Sequence, residues 1–235
     1  MAGGAGAWRQ LLAANNPVLC ALCGVSPATT VEHVPAECMF PKPRPGNRIT
    51  VPACWPCNNG SSDDDEYLRA SLALIDEEEP SEALEKLRPV VRRGLWREEA
   101  ARLWKHFSDR MLLNEPQNPR IQIDQERMRS IARKHFRGLF HHLQAVPLPA
   151  VYRIEVMPWT WLRSAPPEDR KHWDLVRIRA LAGKSETIGA NVFTYHFTDA
   201  FTHRHVYFAR IVYFGNFEYL AHYADMTRQP ASNAG

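Results

Sequence analysis

The sequence predicts an α+β chain: a metal-organised N-terminal module, a helical middle and a C-terminal, mainly antiparallel β region. Three observations carry that prediction. Two Cys-x-x-Cys pairs, Cys20/Cys23 and Cys54/Cys57, stand 30 residues apart; the middle of the chain repeats apolar residues at helical spacing; and from Pro147 onward several segments alternate apolar and polar residues. With 235 residues, 45% of them hydrophobic, the chain can fill a core, and 23% charged residues place it in the globular range. A net charge of only +3 means that any affinity for nucleic acid must come from local clusters of basic residues.

Residues 1–16 are Gly/Ala-rich and then Asn-rich, and read as a loose end. They lack the basic-then-apolar layout of a secretory signal, and no apolar run reaches the roughly 18 residues of a membrane span. Five cysteines without such a signal point to a reducing compartment, the cytoplasm, where metal binding explains paired cysteines better than disulfides do. Cys38, the unpaired one, reads as a small buried hydrophobe.

Residues 17–80 form the predicted module. Thr29-Thr30-Val31 and Ile49-Thr50-Val51 are short β-like runs in a segment dense in Cys, Pro, Asn and Gly. A helix is expected from Ser61 or Ser62: hydroxyl side chains precede Asp63, Asp64 and Asp65, whose charges suit a helix N-terminus. Tyr67, Leu68, Leu72 and Ile75 give it an apolar face, and the acidic run Asp76 to Glu79 with Pro80 ends it. Residues 81–146 read as helical, with Leu84, Leu87, Val91, Leu95, Leu103, Trp104 and Phe107 recurring at helical spacing and with Pro89 and Gly94 expected to break or kink the stretch. Asn114 to Pro119 is a predicted loop. A second helix follows with Met128, Ile131, Phe136, Leu139, Phe140 and Leu143 on one side. Residues 147–226 are predicted as a small antiparallel β region: Val151 to Val156 and Val192 to Phe197 alternate, and two runs meet at Gly215-Asn216 as a hairpin. Residues 227–235 read as a loose tail.

The cysteines carry the clearest chemistry. Each Cys-x-x-Cys turn can place two thiolates on one metal, and two such turns complete a tetrahedral site for Zn²⁺. Four sulfur ligands leave no open position for substrate, so this zinc is structural, and its binding energy is folding energy. Between and just after the pairs lie Val31-Glu32-His33-Val34-Pro35 and Cys57-Asn58-Asn59. His33 offers a base that is neutral near pH 7, with an ordinary pKa of about 6.5. Glu32 and Asn58 offer oxygen ligands of the kind a hard cation takes.

In order and spacing these residues resemble the HNH endonuclease family in its zinc-stapled, four-cysteine form, over about residues 17–75. The resemblance implies a ββα-metal module in which Cys20, Cys23, Cys54 and Cys57 bind structural zinc and His33 is the general base. It also implies that Glu32 and Asn58 hold a catalytic Mg²⁺ or Mn²⁺. The proline falls one residue early in the family's pattern, the acidic residue is Glu rather than Asp, and the central Asn position falls on Ile49, with Asn47 the nearest substitute. The activity implied is that of a metal-dependent DNA endonuclease or nickase. An RNA nuclease using the same site, and a non-catalytic zinc-ribbon module that binds nucleic acid or protein, are the alternatives. By analogy such stand-alone proteins resemble those of mobile elements or anti-phage systems, with a protein partner from the same system, no membrane and no small-molecule cofactor.

Basic residues that suit phosphate contacts are Arg129, Arg133 and Arg137, stacked at i, i+4, i+8 on the second long helix beside Arg127 and Lys134. Arg88, Arg92, Arg93, Arg97 and Arg102 form a second cluster, and Lys42 and Arg44 sit in the stiff loop Pro41-Lys42-Pro43-Arg44-Pro45. His141, His142, His196, His203 and His205 read as structural, and Trp159, Trp161 and Trp173 as packing residues of the β region.

Overall fold

A computed structural model describes residues 10, 12, 18–75, 80–97, 101–112, 120–200 and 206–224. Residues 1–9, 11, 13–17, 76–79, 98–100, 113–119, 201–205 and 225–235 lie outside it, and with them nearly all of the predicted loose N-terminal end, the predicted acidic helix end, the 114–119 loop, the tail, His203 and His205.

The N-terminal module is a β-hairpin followed by two helices. Strands β1 (Thr30–Val34) and β2 (Ile49–Ala53) pair antiparallel, with Glu32 opposite Val51 and His33 opposite Thr50. All five residues of β2 are buried, whereas β1 buries only Glu32 and Val34. Because side chains alternate along a strand, Glu32 points toward the core and His33 away from it. The chain then forms the short helix α1 (Trp55–Asn59), entered through Pro56 in its first turn, and helix α2 (Ser62–Leu74) with three aspartates in its first turn. The predicted start near Ser61 or Ser62 matches α2; the preceding turn of helix at Trp55 was not anticipated.

Helix α3 (Glu82–Leu95) is capped by the Ser81 hydroxyl, which accepts from the Leu84 amide, and it continues through both Pro89 and Gly94. This corrects the expected break. Proline in a helix interior costs about 3 kcal/mol, but Ala83, Leu84, Leu87, Val91 and Leu95 are all buried on one face, and that burial outweighs the lost backbone bond. Helix α4 (Ala101–Ser108) and a two-residue pair of strands, β3 (Met111–Leu112) with β4 (Arg120–Ile121), lead to α5 (Gln125–Gln144), capped by Asp124.

The C-terminal sheet has five antiparallel strands in the order β5 (Arg153–Pro158), β9 (Phe217–Ala224), β8 (Val206–Tyr213), β7 (Phe193–Ala200), β6 (Lys184–Ile188). The predicted hairpin joins β8 to β9, and its turn uses positive φ at Phe214 and Gly215. Two helices that the sequence reading did not include lie between β5 and β6 in this mainly antiparallel region: α6 (Trp159–Arg163) and α7 (Pro167–Leu181). Helix α7 buries only Trp173, Val176 and Ala180, so its apolar stripe is too thin to stand out in the sequence.

Helix α5 is the centre of the molecule. It packs against β1, β2 and α2 on the module side and against β5 and β9 of the sheet, while α7 covers the sheet's other face. Ala209, Ile211, Tyr213, Phe217, Tyr219 and Ala221 join the same core as Val34, Val51 and Leu68. Leu220, Leu162, Trp173 and Val176 form a second, smaller core under α7. At Gly138 α5 passes close against β1: a Cβ there would lie 2.5 Å from a methyl of Val34. No helix among the described residues is long and apolar enough to cross a membrane.

Candidate functional site

The sulfurs of Cys20, Cys23, Cys54 and Cys57 all lie within 4.8 Å of one another, the arrangement a tetrahedral metal site needs. Cys20 and Cys54 are buried and the other two partly so. The turn that carries the first pair closes with Gly24 at φ +69°, where a side chain would also strike the Leu148 carbonyl. Backbone amides point at the sulfurs: Leu22 N–H donates to Cys20 Sγ and Ser26 N–H to Cys23 Sγ, both at 3.4 Å. Burial pushes the Cys23 thiol up, but the amides of Ser26 and Val25 outweigh it and bring its pKa to about 6. Burial raises the Cys20 and Cys57 thiols, so the cluster's fit to a structural Zn²⁺ rests on four sulfurs within reach of one ion, whose charge would displace the thiol protons.

Beside the cluster, β1, α1 and α2 wall an open cavity of about 390 Å³. Glu32, His33, Asn58, Asn59, Asp65 and Arg69 are among its lining residues, so the three residues expected to carry chemistry share one cavity. They do not play equal parts. Asn58 donates from its amide nitrogen to Thr30 Oγ1 at 3.0 Å and to the Val31 carbonyl at 3.3 Å, which ties α1 to β1. Glu32 is buried and its Oε1 lies 2.6 Å from Lys134 Nζ. The same ammonium lies 2.8 Å and 3.0 Å from the two carboxylate oxygens of Asp65 and donates to Ser61 Oγ at 2.7 Å. Burial raises the pKa of both carboxyl groups and Lys134 opposes that rise; the two carboxylates in turn hold the Lys134 ammonium above its ordinary value against burial.

A Mg²⁺ ion on Glu32 does not fit this arrangement. A hard cation needs carboxylate charge to spare, and the charge of Glu32 is already matched by an ammonium in hydrogen-bond contact. The other rim carboxylates are matched as well. Glu37 lies 3.3 Å from both Arg44 and Arg48, and Glu66 lies 3.2 Å from Arg69. Asn47, the candidate central Asn, bonds instead to Glu186 of β6 at 3.4 Å, outside the cavity.

Lys134 enters the site without a sequence signal of its own, and Asp65, which the sequence offers as a helix-capping charge or, with Asn59 and Asp64, a further metal ligand, enters it as the partner of Lys134. Asp65 reads in the sequence as a helix-capping charge, yet it falls on the same face of α2 as Leu68 and Leu72, and that placement is the signal that it is buried. Lys134 reads as part of a basic stripe, but it flanks Ile131, His135 and Gly138, the face of α5 turned inward.

Compared with protein-family models, curated proteins and solved structures, the chain matches none of them. Its functional reading therefore rests on its own residues.

The remaining phosphate-contact candidates divide. Arg129 and Arg133 both pair with Glu126, at 3.2 Å and 2.7 Å, and Arg133 also donates to the Ile154 carbonyl. Arg137 donates to the carbonyls of Leu148 and Tyr152 and lies near the thiols of Cys20, Cys23 and Cys57. This corrects the picture of a free basic stripe: α5 is sandwiched, so Arg133 and Arg137 on its flank are used to hold the chain leading into β5. Lys42 and Arg44 remain at the surface, in a cavity that shares Cys38 and Arg69 with the one lined by His33. Arg102 and Arg127 face another cavity together with His106, and Arg88 donates to the Ile75 carbonyl.

Proposed function

We propose that the chain is a phosphodiester-cleaving nuclease acting on DNA, with a zinc-stapled module of the HNH kind and His33 as its general base. The observation that carries this reading is that Glu32, His33 and Asn58 all line one solvent-open cavity on the module that carries the four-cysteine cluster. The cavity suits a strand backbone. Of its four carboxylates, Glu37 and Glu66 are paired with arginines and Glu32 and Asp65 share the Lys134 ammonium, so the negative charge that a phosphodiester entering it meets is largely offset.

The steps belong to this chain's own residues. His33, at the accessible face of β1, takes a proton from a water poised in line with the scissile bond. The water oxygen bonds to phosphorus, the bond to the 3′-oxygen breaks, and the products are a 5′-phosphate and a 3′-hydroxyl whose proton comes from solvent. Asn58 fixes β1 against α1 and so holds His33 in register with the cavity. Arg69 on the wall, with Lys42 and Arg44 in the adjoining cavity, continues the positive surface along the strand. Zn²⁺ on the four cysteines supplies folding energy to the module and takes no part in the step.

The capture of Glu32 by Lys134 favours one other reading, a zinc module that binds nucleic acid without cutting it. Cleavage of supercoiled plasmid, single-stranded DNA and RNA by the zinc-loaded protein separates the two when it is run beside His33→Ala. Cleavage lost in the variant supports the nuclease. Binding without cleavage of any substrate, or an equally active variant, overturns it.

A further inference from the structure

The ammonium of Lys134 is unusually well held. Its three protons face three acceptor groups: Glu32 from β1 at 2.6 Å, Asp65 from α2 at 2.8 Å and 3.0 Å, and the Ser61 hydroxyl at 2.7 Å. The side chains of Lys134, Glu32 and Asp65 are only 11%, 6% and 10% exposed. The lysine stem cannot drift easily, because one turn further along α5 Gly138 sits so close to Val34 that no side chain fits between helix and strand. An amine pushed out of this place would find no spare acid on the cavity, since Glu37 and Glu66 already have arginine partners.

We propose that the cation of this site is built into the chain: the Lys134 ammonium occupies the position between Glu32 and Asp65 that a divalent metal would need, and keeps the pair closed to metal. Lys134 is thereby a positioning residue. It clamps β1, the strand that carries His33, to the first turn of α2 and to α5. Two buried carboxylates facing each other across a gap attract a cation from solution, and an ammonium tethered to a packed helix has no translational freedom left to lose in filling that gap. If the nuclease reading above holds, on which this one consequence rests, cleavage requires no divalent ion beyond the structural zinc.

The test is Mn²⁺ uptake by zinc-loaded protein, read from the loss of the free-ion paramagnetic resonance signal, in wild type, Glu32→Gln, Lys134→Met, and Lys134→Met combined with Glu32→Gln. The proposal expects no uptake by wild type, uptake by Lys134→Met, and loss of that uptake when Glu32→Gln is added, a gain and loss that a merely structural lysine would not produce. Uptake by wild type that Glu32→Gln abolishes would overturn it, and so would a folded Lys134→Met that takes up no ion. Should Lys134→Met not fold, amine labelling of the wild type read by mass spectrometry decides the matter. Lys134 stays protected when Mn²⁺ is added if the amine holds its place, and becomes reactive if metal displaces it, which overturns the proposal. Neither readout requires turnover. Cleavage that appears only when Mg²⁺ is added would count against the built-in cation, whereas a complete lack of cleavage would count against the nuclease reading and leave the binding result to stand by itself.

Discussion

Replacing Lys134 with methionine keeps most of the side-chain volume but removes the charge that Glu32 and Asp65 share. Both carboxylates are buried, at 5% and 7% residue exposure, and the variant would leave them facing each other without a partner. Removing one member of a buried ion pair costs about 3–5 kcal/mol, because the remaining charge stays buried and uncompensated. The two contacts in question, 2.6 Å and 2.8 Å long, are short enough for the full interaction to be lost. The pH dependence identifies the cause. Burial already raises the folded-state pKa of both carboxyl groups, and removing Lys134 leaves that rise unopposed. A group with a raised folded pKa contributes stability that is present below its unfolded pKa and is lost as pH rises through the folded value. The deficit of Lys134→Met relative to wild type should therefore be larger at about pH 8 than at about pH 5.5, because protonation relieves the buried pair as the pH falls. Urea denaturation of zinc-loaded protein at both pH values measures this. A loss below about 1 kcal/mol, within the range of an ordinary surface ion pair, or a loss equal at the two pH values, would refute the reasoning.

Three further outcomes follow from the geometry. Stripping the metal from the four-cysteine cluster should unfold the module, since structural zinc in small modules contributes about 10–16 kcal/mol; circular dichroism and proteolysis during chelation check this, and a fully folded apoprotein would contradict it. Gly138→Ala gains about 1 kcal/mol of helix propensity but places a carbon 2.5 Å from Val34 Cγ2, an overlap that typically costs about 1–3 kcal/mol. Thermal melts should show a net loss that Val34→Ala partly reverses. Stability should also fall on mild acidification. Burial holds the imidazoles of His135 and His141 neutral, His141 at a pKa of about 4, and a depressed folded pKa contributes stability that is present above about 6.5 and lost as pH falls toward the folded value. Each such histidine removes about 1.4 kcal/mol per pH unit across that window, measurable by denaturation from about pH 7 downward.

The parts of this molecule that the sequence shows openly are those built by local spacing. Two Cys-x-x-Cys turns imply a four-sulfur cluster because each turn fixes its own pair, and the structure brings the four sulfurs together. The hairpin at Gly215-Asn216 and the long helix α5 are legible for the same reason: their period and their turn residues are contiguous. What was hidden depends on distant partners. Pro89 argues locally for a helix break, and only the tertiary burial of Leu84, Leu87 and Val91 overrides it. Helix α7 escaped notice because three buried residues suffice for its packing. Lys134 lies some hundred positions from Glu32 in the chain, so no spacing rule connects them, and its charge alone suggests a surface role. The same holds for Arg137, which belongs to a basic stripe in sequence but is spent in the fold on two carbonyl groups beside the cysteine cluster. Within the cavity, sequence pattern placed Glu32, His33 and Asn58 together but could not say which of them was already engaged.

The central claim is that the His33 imidazole takes the proton from the attacking water. Chemical rescue tests it most directly. His33→Ala, zinc-loaded and folded, is incubated with a cleavable nucleic-acid strand while imidazole is titrated in across the pH range. Cleavage lost in the variant should return in proportion to the concentration of neutral imidazole. A variant that cleaves as well as wild type without imidazole, or wild-type cleavage that no concentration of imidazole restores to the variant, would contradict it.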